Sequence, residues 1–318
     1  MYFSIIVQQV LILAFLASIG IVATKLKVIT EQVKNSISAL VFNITLPLLI
    51  ITSITRIELN QEILQNSILV LILSIIGISL LFTFGILSKK LLKINGKKGD
   101  VHVLHTMFGN VAFLGYPLFS ALFPGGEGLL YAIIYHFSQD IFIWSVGVYI
   151  FNRDENSKFI KNLKHLINPN TVSFSIGVIM LIFGLRFPTL IYKPLYELGH
   201  TTIYLAMLYI GAVLAQNPMI TSFKKIEIYA LTFNKMLLVP FILILLTSLM
   251  QNLLGIYIGV VAKTVLVMQT AMPCMAMIVV LAKRFGSDDV HATENLFLTT
   301  ILSLAILPFI YYLVQIFN

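Results

Sequence analysis

Asp140 and His136 stand four residues apart in YAIIYHFSQDIFIWSVG, a stretch that holds no other formal charge. On a helix that spacing puts both side chains on one face, one turn apart. A carboxyl and an imidazole so placed can pass a proton between them, or can tie two helices together as a buried pair. Tyr135 and Gln139 flank them. Two lysines sit in equally apolar surroundings, Lys235 in ALTFNKMLLVP and Lys263 in VVAKTVLVMQTAMP. Each can snorkel to a membrane surface or stay inside as the partner of a carboxylate, either Asp140 or an anionic ligand. Asn110 precedes Pro117 by seven residues and Gln269 precedes Pro273 by four. Amides there can hydrogen-bond a carboxylate or cap an interrupted helix. Tyr116, Thr270 and Asn43 are the further ligand candidates, Asn43 lying beside Pro47 in VFNITLPLLIITSI.

Other chemistry has little to stand on. The six histidines are scattered around a single cysteine, Cys274, with no HExxH or CxxC spacing, so neither a metal site nor a disulfide framework is expected. There is no Walker A sequence and no Gly-x-Ser-x-Gly, which argues against a pump ATPase or a lipase. No cofactor is implied, and an enzyme is not expected. His102 and His105 fall at the edge of an apolar run, where they are expected to face water. The run AMPCMAMI reads as packing rather than a copper site.

The elements that must position these residues are membrane helices. Of 318 residues, 58% are hydrophobic and 11% charged, and the mean hydropathy is +0.96. Soluble domains carry about 25% charged residues. The apolar runs have helix length rather than the ~10-residue alternation of an outer-membrane barrel. Ten of them fit, at roughly 3–24, 34–55, 64–87, 103–123, 128–151, 170–187, 197–215, 227–251, 257–282 and 291–316. The fold class is therefore an all-α polytopic membrane protein, with no room for a sizeable soluble domain.

The net charge of +8 is a topology signal, not a nucleic-acid footprint. Alternate connections hold sixteen Lys and Arg residues, among them Lys89, Lys90, Lys93, Lys97 and Lys98, then Arg153, Lys158, Lys161 and Lys164. The opposite side has Arg56, Arg186 and Lys193 only. Excess Lys/Arg marks the cytoplasmic face. A multi-pass protein of the cell membrane with both termini outside is expected, its surroundings lipid and no nucleic acid.

Ten spans entered from outside divide into five and five, residues 1–152 and 153–318, with the second set upside down. That is the geometry of inverted repeats in secondary transporters. One feature recurs between the halves: GYP at 115–117 in the fourth span and AMP at 271–273 in the ninth. Proline inside a helix removes a hydrogen bond and clashes with the preceding turn, costing about 3 kcal/mol. In hydrocarbon the freed groups must face protein or an aqueous cavity. Matched interruptions point to a midplane site where half-helix N-termini attract an anion, although each proline taken alone also fits a simple kink. Pro47, Pro240 and Pro308, without counterparts, are expected to be kinks.

The segments VFNITLPLLIITSI (41–54), FGNVAFLGYPLFSALF (108–123), YLAMLYIGAVLA (204–215), QTAMPCMAMIVVLAKRFGSD (269–288) and TTILSLAILPF (299–309) together resemble the auxin efflux carrier family. The resemblance implies ten spans in two inverted repeats, with the fourth and ninth broken and crossing at Pro117 and Pro273. It further implies a scaffold of spans one, two, six and seven, a moving unit of three to five and eight to ten, elevator-like transport and a homodimer through the scaffold. Asn110 would fall where an anion-binding asparagine is expected, and Asp140, His136 and Lys235 on the moving unit. Tyr204 and Phe285 depart from the family's usual proline and tyrosine. The short 152–168 connection resembles bacterial members, so auxin itself is not the expected cargo. The function implied is secondary transport of a small organic anion, a mono- or dicarboxylate; from the residues themselves, a proton on Asp140, shared with His136, could supply coupling to H+. The alternatives are a Na+-coupled carrier like the bile acid symporters and, from another class, a channel or sensor.

Overall fold

A computed structural model describes residues 2–151, 167–216 and 223–317. Arg153, Lys158, Lys161 and Lys164, and the expected boundary between the halves, lie outside the described residues. Regular structure within them is helical, apart from one antiparallel bridge between Gly109 and Cys274.

Twelve helices carry the site. They are α1 (Tyr2–Lys25), α2 (Glu31–Ile54), α3 (Gln61–Leu91), α4 (Gly96–Met107), α5 (Val111–Leu122) and α6 (Glu127–Phe151). After these come α7 (Pro169–Ile182), α8 (Thr189–Gln216), α9 (Ile226–Leu254), α10 (Val260–Thr270), α11 (Ala276–Arg284) and α12 (Asp289–Ile316). Several start where a capping residue stands: Asn60 Oδ1 accepts from Ile63 N–H at 2.7 Å, and Asp288 from His291 N–H at 2.8 Å. Asn168 and Thr171 form a reciprocal capping box ahead of α7.

Seven of these helices are long and apolar enough to cross a membrane. Three of the ten apolar runs do not form one such helix. The fourth is divided into α4 and α5, and the ninth into α10 and α11. The sixth, expected to reach residue 187, ends as α7 at Ile182, because Gly184 turns the chain at φ +64° and Pro188 follows.

The prolines act in different ways. Pro47, Pro117 and Pro240 each follow a π-turn, over Val41–Thr45, Val111–Gly115 and Phe233–Leu238. The carbonyl four residues before each proline lies in that widened turn, so the ring clash is relieved by a bulge and the helix continues. Pro308 stays inside α12.

Packing follows small residues and apolar faces. On α1, Gly20 meets Gly211 of α8, where a Cβ on either would run into the other helix's backbone. Helix α2 packs on α7 and α8, while α3 packs on α4, α6 and α10. Large apolar side chains such as Phe15, Ile72 and Leu253 point outward, as a lipid-facing belt requires.

Candidate functional site

The two interruptions meet. Phe108 leaves helical geometry at φ −103°, ψ 122°, and residues 108–110 are non-helical before α5 begins. Residues 271–275 likewise leave helical geometry between α10 and α11, Ala271 as a turn and Met275 extended. The segments lie antiparallel: Asn110 N–H donates to Pro273 C=O at 2.8 Å, and Met275 N–H to Phe108 C=O at 3.1 Å. Two helix C-termini and two N-termini therefore converge on one bridge, partial negative ends beside partial positive ends.

This corrects the expected crossing point. Pro273 lies in its break, but Pro117 does not: it is the second residue of a continuous turn, and the break lies upstream at Phe108–Asn110, ending seven residues before it. A proline can be absorbed by a π-turn. A break needs partners for the groups it frees, and these sit at Gly109. The Gln139 side chain supplies both, accepting from Gly109 N–H at 2.9 Å and donating to Gly109 C=O at 3.1 Å. At the other break Thr299 Oγ1 accepts from Cys274 N–H at 3.1 Å. Lys235, fully buried on the π-turn of α9, donates to Thr106 C=O at 3.2 Å, at the C-terminal end of α4.

Asn110 stands at the N-terminal end of α5, buried, and its side chain makes no capping hydrogen bond to that helix. Gln269 is fully buried and donates to the carbonyls of Val111 and Ala132 at 3.4 and 3.3 Å. It lies so close to Gly115 that a Cβ there would fall 2.5 Å from its Oε1, which accounts for the glycine of GYP. Thr270 bonds back to Leu266 C=O. Asn43 is exposed and donates to Ala39 of its own helix, away from the bridge. Lys263 does not reach the bridge: it is buried and donates to Phe317 C=O at 2.7 Å, just past the end of α12.

Asp140 and His136 are indeed one turn apart, His136 Nε2 lying 3.5 Å from Asp140 Oδ1, and a third group joins them. Tyr116 Oη and His136 Nδ1 are 2.7 Å apart. The chain Tyr116–His136–Asp140 borders a small cavity shared with Asn170 of α7, whose amide atoms have no partner among the described residues. It can hold or move a proton between α5–α6 and the neighbouring α2 and α7.

A larger cavity of about 790 Å³ lies between α2 and α8 on one side and α11 and α12 on the other. Lys34, Lys283 and Arg284 line its basic end together with Glu31 and Asp289, and Ala276, the first residue of α11, lines it next to the break. Lys34 is paired with Glu31 at 2.7 Å.

Sequence reasoning missed Thr299 and treated Gln139 only as a neighbour of Asp140. Their signal was a polar side chain in an apolar helix. It also put His102 and His105 in water, whereas both are fully buried.

The sequence matches the family described as membrane transport protein over residues 5–311. It is similar to an uncharacterized transporter of Methanocaldococcus jannaschii, 24% identical over 304 residues, covering 94% of this chain and 95% of that protein. An uncharacterized transporter of Methanothermobacter thermautotrophicus is 27% identical over 307 residues, covering 95% and 96%. With paired helix breaks in an apolar helical protein and a family match from end to end, the chain belongs to the membrane transport protein family, the auxin efflux carrier family of transporters.

Proposed function

We propose that the protein is a secondary active transporter of a small organic anion, a mono- or dicarboxylate, working by elevator-like alternating access. The observation that carries this reading is the 790 Å³ cavity, which runs from Lys283 and Arg284 on the basic face to the first turn of α11 beside the bridge. A carboxylate entering there meets cations at the mouth and unpaired N–H groups of a helix start at the base. Asn110 lies across the bridge, at the start of α5.

The halves are read as inverted repeats of five spans each, ten in all. In support, each broken span is held by the span that follows it, Gln139 on α6 for the first and Thr299 on α12 for the second. The cavity separates α2 and α8, assigned with α1 and α7 to the scaffold, from α11 and α12, assigned to the moving unit. Coupling to H+ is assigned to the Tyr116–His136–Asp140 chain, which borders scaffold helices α2 and α7. By linkage the coupling proton must bind differently in the loaded and empty states.

The test is uptake of labelled mono-, di- and tricarboxylates into proteoliposomes under a proton gradient, a sodium gradient and neither, with Asp140→Asn in parallel. Saturable, proton-driven uptake that loses its gradient dependence in the variant is expected. Sodium dependence with an unaffected variant would replace the coupling ion, and no uptake of any carboxylate would sink the substrate class.

A further inference from the structure

A column of buried polar groups runs from the basic face to the bridge, and the transport reading uses none of it except Thr299, as a support of the second break. On α12, His291, Asn295 and Thr299 recur every fourth residue and so share one face. On α4, which packs against α12, His102 and His105 stand one turn apart, next to Thr106. His291, Asn295, His102 and His105 are all buried. Six of their polar atoms have no hydrogen-bond partner among the described residues: both ring nitrogens of His291, whose Nδ1 has only the Glu294 carboxylate at 3.6 Å, both amide atoms of Asn295, and Nδ1 of His102 and of His105.

The inner end of the column is fixed by bonds. His105 Nε2 is 3.2 Å from Met275 C=O, Lys235 donates to Thr106 C=O, and Thr299 holds Cys274 N–H. At the outer end Lys225 Nζ lies 2.6 Å from Glu294, whose carboxylate is 3.6 Å from His291 Nδ1. Every element around the column contributes titratable or charged groups. From α3 these are Lys89, beside Ser88, whose Oγ is 2.8 Å from His102 Nε2. From α4 and α9 come Lys98 and Glu227, paired with each other, and from the start of α12 comes Asp288. Cys274 faces Lys235 from the break.

Buried polar atoms are almost always paired, and a dry cluster with six orphans would be costly. Among the described residues no three His, Cys, Asp or Glu side chains gather as a metal needs. Water satisfies such atoms when several polar partners line its site.

We infer that this column is a hydrated proton path from the cytoplasmic face to Lys235, with His291, His102 and His105 as its carriers. A proton from water forms an N–H bond on one ring nitrogen of an imidazole while the other nitrogen releases its proton inward. At the end the Lys235 amine gains the proton and becomes ammonium, held by Thr106 C=O. The return reverses these steps, so no other reactant is consumed. The inference rests on the proton-coupled reading above, and it adds Lys235 as a second group that takes up a proton, beside the Tyr116–His136–Asp140 chain.

Two measurements test it. The first needs no substrate: imidazole N–H signals of the 15N-histidine-labelled protein in lipid nanodiscs, assigned by single His→Gln substitutions, are followed after transfer to D2O. Exchange within seconds at His102, His105 and His291 is expected, and protection over hours at these three overturns the path. The second is the ratio of gradient-driven to gradient-free uptake across the carboxylate panel in His105→Gln and Asn295→Leu. A fall of about tenfold in each is expected, within the usual range of coupling between sites. Two variants with the wild-type ratio overturn the relay. Wild-type protein that moves no carboxylate defeats the transport reading instead, and the exchange measurement then decides the column alone.

Discussion

At the first break one amide clasps Gly109 on both sides, whereas at the second a single hydroxyl holds Cys274 N–H. The difference follows from the residues each break contains. Residues 271–275 include Pro273, which has no N–H; Ala271 and Met272 bond back into α10 and Met275 bonds across to Phe108. Only Cys274 N–H is left over, and Thr299 takes it. Residues 108–110 contain no proline, so every residue carries a donor. Phe108 bonds back to Leu104 and Asn110 across to Pro273, which leaves both groups of Gly109. A membrane helix can be broken by removing donors or by importing partners for them; the first break relies on imported partners alone, and the second combines a missing donor with one imported hydroxyl.

Gln139→Leu should therefore do the most damage. It leaves a buried N–H and a buried C=O unpaired at once, at about 3 kcal/mol or more in total. Thermal unfolding in detergent should show a large loss, together with loss of transport. If stability is unchanged, the first break does not depend on its clasp. Gly115→Ala comes next. A Cβ 2.5 Å from Gln269 Oε1 must displace a buried side chain tethered to Val111 and Ala132, at about 2 kcal/mol by analogy with overpacked cores. A Gly115→Ala, Gln269→Ala double variant should recover part of that loss, and failure to do so would mean the glycine is needed for its backbone rather than for room.

Thr299→Val should be milder than Gln139→Leu, because it keeps the shape and orphans one N–H, at about 1–2 kcal/mol. The ranking sharpens the comparison. If Thr299→Val proves the worse of the two, the second break is the one under load and the missing donor of Pro273 does not explain it.

The apolar runs were legible because hydropathy depends on composition summed over twenty residues. Where helices break was legible only at Pro273, since proline marks a missing donor in the sequence itself. The break at Phe108–Asn110 was not, because nothing local in Phe-Gly-Asn distinguishes it. It exists through Gln139, thirty residues on, and through backbone from the other half of the chain. Asp140 and His136 could be paired from their spacing alone, being on one helix, but Tyr116 completes the chain from another helix. Lys235 and Lys263 looked alike as lone cations in apolar runs. Tertiary position separates them, one at the bridge and one clamping the end of α12.

Pro117→Ala should have the smallest effect, and it bears most directly on how the first break arises. If the proline made the break, restoring its N–H would let α4 and α5 join and would remove the bridge to Pro273. In the structure the ring is already accommodated by the π-turn over Val111–Gly115, and the break upstream is held by bonds that do not involve residue 117. The substitution then exchanges a fixed φ for a better helix former inside one turn, a change within about 1 kcal/mol in either direction. Unfolding temperature should barely move. A disulfide between cysteines placed at 109 and 274 should still form in Pro117→Ala on the Gly109→Cys background, since Cys274 is already present. Loss of that cross-link in the alanine variant, with the cross-link intact when residue 117 is proline, would return the break to the proline and leave Gln139 a secondary support.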